Sequence, residues 1–98
     1  MPYYINNGEP IFVMTSGVQN RVAQDEKFSR AVIRATKRFL EKDWGDVAAE
    51  DNETNNQMDR SLDLNGGGMV LASYYKQKDK IWIIRDTERI TILFPDEY

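Results

Sequence analysis

"MVLASYYKQKDKIWIIRDTERITILF", residues 69–94, decides the fold. Three segments within it, 69–75, 80–85 and 89–94, are rich in β-branched and aromatic side chains and follow a two-residue period. "KQKD" and "DTE" between them are short and polar, which suits tight reversals. The stretch therefore reads as an antiparallel meander of three strands. "IWII" is apolar at four successive positions. That suits a central strand covered on both faces, or one covered on a single face with Trp82 as a patch on the other. Pro95 ends the last strand.

Working outward, "NGGG" at 65–68 separates this period from a helical one. Residues 25–42 form the clearest helix: Phe28, Ala31, Val32, Ala35, Phe39 and Leu40 recur at spacings of three and four. Asp25 and Glu26 lie in its first turn and Lys37, Arg38 and Lys42 near its end, as the helix dipole favours. Gly45 is its stop signal. A second helix is expected over 47–62, capped by Asp46. Its apolar face is thin, and "ETNNQ" is weak helix sequence, so a break near Asn52 is expected. "IFVM" at 11–14 fits a buried strand, followed by a cap at "TSG" and about one helical turn over 16–22. The fold expected is α+β, a two-layer domain in the order β-α-α-β-β-β: an antiparallel sheet of three to four strands with two or three helices packed on one face. The 98 residues suit a single domain, 1–98.

The composition is ordinary for a soluble protein, with 41 % hydrophobic and 30 % charged residues. No apolar run approaches the roughly 20 residues of a membrane helix, so no membrane association is expected. "MPYYINNGEP" shows neither a basic patch nor an apolar core, so no signal peptide is expected there. The chain has no Cys and no His. That excludes disulfides, thiolate chemistry and a Ser-His-Asp triad, and it removes the usual ligands of transition metals. A cytoplasmic setting is the simplest expectation.

The net charge of −3 hides an asymmetry. Residues 21–42 carry seven basic and three acidic groups, a balance of +4; residues 43–63 carry seven carboxylates and Arg60, a balance of −6. The acidic run opens with "DWGDVAAEDNETNN", 43–56. Asp46 and Glu50, and likewise Asp51 and Asn55, would share a helix face at i, i+4. Asp43, Asp46, Glu50 and Asp51 are thus candidates for an acidic contact surface, for a hard-cation site or for general acid/base work. The plainer reading is a solvated helix start, where carboxylates belong because of the dipole. The spacing matches no EF-hand loop, and "NGGGM" precedes a strand and lacks the Lys-Ser/Thr of a P-loop. Trp44 either plugs the core at the helix corner or forms an exposed anchor; the general burial of large aromatics favours the core.

Lys27, Arg30, Arg34, Lys37 and Arg38 make a basic stripe that suits phosphates or, equally, a solvated helix face with pairs such as Glu26–Arg30. Arg85 and Arg89 flank Asp86 and Glu88 in a hairpin, where cross-strand ion pairs or a phosphate-binding role would account for them.

"IFVMTSGV" (11–18), "DWGD…ED…N" (43–46, 50–51, 55), "GGGMVLASY" (66–74) and "KIWIIRDTERITILFPDEY" (80–98) together resemble a family of small accessory proteins of plasmids, conjugative elements and phages of Gram-positive bacteria. Its members carry the label plasmid-related protein, or a name borrowed from subunit M of type I restriction systems. This chain has no methyltransferase motif and is far too short for that enzyme. It departs from the family at "IIRDTERITIL", where "IITEADRSVTTIL" is usual.

The resemblance implies a mobile-element setting rather than a mechanism. Four functions are expected from it and from the residues, the last being a helper in assembly or regulation of the element whose basic helix binds DNA. The first is a non-catalytic antagonist of a host defence system, of anti-CRISPR or anti-restriction type, binding a host defence protein complex in the cytoplasm of the host bacterium. Its contact surface would be Asp43, Trp44, Asp46, Glu50, Asp51 and Asn55, and no cofactor is expected. The second is a homodimeric sponge for a nucleotide signal, with Arg30, Arg34, Lys37, Arg85 and Arg89 as phosphate-binding candidates beside Tyr74, Trp82 and Asn55. The third is a small metal-dependent hydrolase using Asp43, Asp46 or Glu50.

Overall fold

A computed structural model describes residues 11–98; the expectation about a signal peptide at 1–10 lies outside them. The chain runs β1 (Ile11–Met14), α1 (Ser16–Gln24), α2 (Glu26–Leu40), α3 (Ala49–Asp63), β2 (Val70–Tyr74), β3 (Ile81–Arg85) and β4 (Arg89–Leu93). Single 3-10 turns occupy Gln77–Asp79 and Pro95–Glu97. The fold is α+β, with the helices on one face of a four-stranded sheet of order β1-β4-β3-β2.

The meander pairs as its short connections require, with Val70 opposite Arg85, Tyr74 opposite Ile81, and Ile83 opposite Ile92. β1 joins differently, parallel to β4, with Ile11 opposite Arg89 and Met14 opposite Ile92. The sheet is therefore mixed. Connectivity is the cause: the three helices carry the chain back across the sheet, so β2 starts in the same direction as β1. Two reversals later β4 also runs that way, and β1 lies beside it.

Val70, Ala72, Tyr74, Ile81, Ile83, Ile90 and Ile92 form the helix-facing layer, and all are buried. They pack on Val18 of α1, on Phe28, Val32, Ala35 and Phe39 of α2, and on Leu62 of α3. Leu40 lies outside this stripe and is exposed, as is Ile33. On the opposite face Trp82 is half-buried and meets the Tyr98 ring edge-on, centroids 5.7 Å apart. The C-terminal segment thus covers part of that face.

Asp25 caps two helices. Its N–H closes α1 on the Arg21 carbonyl at 2.9 Å, and its carboxylate accepts from the Phe28 N–H at 3.0 Å to start α2. α1 runs nine residues, beyond the single turn expected, because Thr15 caps it through the Val18 N–H. Thr15 also donates to Glu97 at 2.6 Å, tying the chain's end to the β1–α1 corner. A Cβ on Gly17 would meet the end of the Glu97 side chain, which would have to shift.

The stop of α2 comes earlier than Gly45. Lys42 takes a left-handed conformation (φ 68°); its N–H donates to the Phe39 carbonyl, and the Asp43 N–H to that of Arg38. Asn65 ends α3 in the same way, its N–H donating to Leu62 and the Gly66 N–H to Ser61.

Candidate functional site

Asp46 was expected to cap α3, but the helix starts at Ala49 behind Ala48, which offers no side-chain cap. The reason lies in the residues between. The Ser73 N–H donates to the Trp44 carbonyl at 3.1 Å, and the Asp46 N–H donates to the Ser73 carbonyl at 2.7 Å. Residues 44–46 thus form a short parallel bridge on the outer edge of β2, and the chain cannot turn helical until it leaves that edge. Gly45 has φ 79° there, and a Cβ would run into the Ser73 carbonyl oxygen and the Tyr74 ring. Asp46 and Glu50 therefore do not share a helix face, because Asp46 precedes the helix.

The bridge rests on Trp44, which is 1 % exposed. Its ring meets Phe39 edge-on at 5.1 Å, and its indole N–H donates to the Asn56 side chain at 2.8 Å. Asn55 is buried too. Its amide N–H donates to the Leu71 carbonyl at 2.9 Å, and its oxygen accepts the Leu71 N–H at 3.2 Å. The side chain thus imitates a neighbouring strand and closes the edge of β2. These ties explain why α3 runs unbroken through "ETNNQ": tertiary hydrogen bonds override weak propensity. Trp44 and Asn55 are accordingly scaffold residues, withdrawn from any contact surface by burial.

Asp43 sits at the surface, but its carboxylate is occupied. Oδ2 accepts from Arg38 Nε at 2.8 Å, and Oδ1 accepts from Arg38 Nη2 at 3.3 Å and from the Gly45 N–H at 3.0 Å. The Arg38 hydrogen bond, and then that of Gly45, hold its pKa below the usual carboxylate value, and the same pairing raises that of Arg38. Its carbonyl accepts the buried Tyr74 hydroxyl at 2.7 Å. Burial pushes the Tyr74 phenol well above its ordinary value, with the Asp43 charge adding to the effect.

Asp59 was not singled out in the sequence, and it is the most heavily committed carboxylate. Only 5 % exposed, it accepts from Arg85 at 2.6 Å and pairs with Lys42 at 2.6 Å; Asp63 takes the second arm of Arg85 at 2.9 Å. A signal did exist. Asn55, Met58, Asp59 and Leu62 follow helical spacing on the inward side, so two polar residues sit at core positions. No buried side-chain polar atom among the described residues lacks a partner.

Arg85 is therefore engaged by Asp59 and Asp63 of α3 rather than by a cross-strand pair. Tyr74 is buried, and Arg89 pairs with Glu88 at 3.4 Å. The hairpin turn is closed instead by Asp86, which accepts the N–H groups of Glu88 and Arg89. Arg30 pairs with Glu26 at 3.0 Å, whereas Arg34 and Lys37 are exposed with no ion-pair partner among the described residues.

What remains is a run of exposed carboxylates around the start of α3. Asp46, Glu50, Asp51 and Glu53 are exposed, and none has an ion-pair partner among the described residues. They occupy the bridge to β2 and the first turns of α3, on a backbone fixed by Trp44 and Asn55. Among the described residues no three carboxylates converge to hold a metal ion. No helix of the described residues is long and apolar enough to cross a membrane. Comparison with family models, curated proteins and solved structures gave no match.

Proposed function

We propose that the chain is a non-catalytic binding protein of a mobile element or phage that antagonises a host defence system through an acidic face formed by these carboxylates. The observation that carries the reading is the division of labour among the carboxylates of 43–63. Asp43, Asp59 and Asp63 are consumed by internal cations. Asp46, Glu50, Asp51 and Glu53 are left uncompensated on a surface whose backbone is pinned to the sheet. Fixed negative charge of this kind favours a basic partner surface, such as the nucleic-acid-binding channel of a CRISPR or restriction effector complex in the host cytoplasm. The resemblance to small accessory proteins of plasmids and phages supports the setting.

The mode of binding gives the test. An acidic face occupying a nucleic-acid channel competes with DNA and weakens as salt rises. Purified protein titrated against a purified defence effector, with labelled duplex DNA as competitor, should displace the DNA, and less effectively at higher salt. Simultaneous binding of both ligands across a panel of CRISPR and restriction effectors would refute the reading.

A further inference from the structure

The turn between β2 and β3 is tied to the helices by Arg21 and by Tyr75. Arg21 of α1 donates to the Lys78 carbonyl at 2.8 Å and pairs with Asp79, while its guanidinium lies 4.1 Å from the centre of the Phe28 ring. This strut leaves an open cleft of about 410 Å³ between the turn and the start of α2. The volume is within the range of small-ligand sites, roughly 300–1,000 Å³.

Charge and shape in the cleft are unequal. Both lining carboxylates, Asp25 and Asp79, are within ion-pair reach of Arg21. Lys27, Arg34 and Lys78 also line it, and none has an ion-pair partner among the described residues. The wall is aromatic. Tyr75 is fixed by its hydroxyl, which donates to the Ala31 carbonyl at 2.8 Å, and its backbone lies in the left-handed region at φ 68°. That conformation is uncommon for a bulky side chain and is kept only where the surroundings determine it.

We infer that this cleft binds a small phosphorylated ligand with a planar ring, a nucleotide, its phosphates held by Lys27, Arg34 and Lys78 and its ring stacked on Tyr75. Three cations lining one cleft suit a polyphosphate, with Arg34 able to engage two phosphate oxygens at once. An aromatic face accepts any base without reading its edge. The inference is independent of the acidic face, and it uses neither Arg85 nor Arg89.

Calorimetric titration of the full chain with ATP, AMP and inorganic triphosphate at physiological salt is the test, with melting temperatures measured alongside. ATP should bind about tenfold more tightly than triphosphate or AMP, since each lacks one of the two recognised parts. The variant Lys27→Glu/Arg34→Glu, which changes two exposed side chains, should melt like the parent and lose at least tenfold in ATP affinity. Arg60→Glu on α3 should leave it unchanged. Absence of binding or thermal shift with millimolar ATP would overturn the inference. So would triphosphate binding as tightly as ATP, or an equal loss from Arg60→Glu.

Discussion

α2 and α3 are each fifteen residues long and pack on the same sheet, yet they are attached by different chemistry. α2 is held by an apolar stripe, Phe28, Val32, Ala35 and Phe39, and opens on a side-chain cap from Asp25. α3 has no side-chain cap and buries a single large aliphatic, Leu62; its other buried positions are Asn55 and Asp59. One is glued by hydrophobic burial, while the other is pinned by hydrogen bonds to β2 and ion pairs to Arg85 and Lys42. A pinned helix does not need a wide apolar face or strong propensity, so its outer surface is free to be acidic.

If α3 is pinned, the largest effect comes from removing the deepest pin. Asp59→Ala would leave the largely buried Arg85 without its main partner and should cost about 3 kcal/mol in a urea unfolding experiment. A loss below about 1 kcal/mol would show that packing rather than charge holds α3. Next comes Asn55→Ala, which orphans the Leu71 N–H and carbonyl at the sheet edge. It should cost about 2 kcal/mol and speed hydrogen exchange at the Leu71 amide. Unchanged exchange there would mean that the edge is closed by something else. Asp25→Ala tests the other helix, with an expected loss of about 1 kcal/mol from the missing cap.

The smallest effect is pH-dependent. The folded-state pKa of Asp43 lies below its unfolded value. The Arg38 pair therefore stabilises the fold above about pH 4 and loses that contribution as pH falls through the lowered value. Both side chains are partly exposed, so screening limits the pair to about 0.5 kcal/mol. Asp43→Asn should flatten the acid side of the stability profile by that amount and leave the neutral side unshifted in slope.

The contrast also explains what could be read from the sequence. The strands of the meander and the apolar stripe of α2 depend on periodicity, and both were legible to within about two residues. The general burial of large aromatics favours the core for Trp44, where it lies, against its place in the expected contact surface. The parallel seating of β1 was not legible, because it follows from where the helices return the chain rather than from any residue of "IFVM". The late start of α3 was hidden for a similar reason: Asp46 has the chemistry of a cap, but its N–H is taken by the Ser73 carbonyl, twenty-seven residues away in sequence. Asn55 and Asp59 resemble a solvated acidic run in polarity, whereas their helical spacing with Met58 and Leu62 marks them as inward-facing. The acidic stretch itself is visible in the sequence, but the sequence does not separate carboxylates with internal cations from those without.

That separation is the central claim, and one variant tests it. Asp46→Lys/Glu50→Lys/Asp51→Lys changes only exposed, unpaired carboxylates, so its melting temperature should stay within about 5 °C of the parent. Under the proposed function, displacement of DNA from a defence effector should be lost in the same samples. Retained displacement would show that the acidic face is not the contact. A collapse in melting temperature would show that these carboxylates are structural after all.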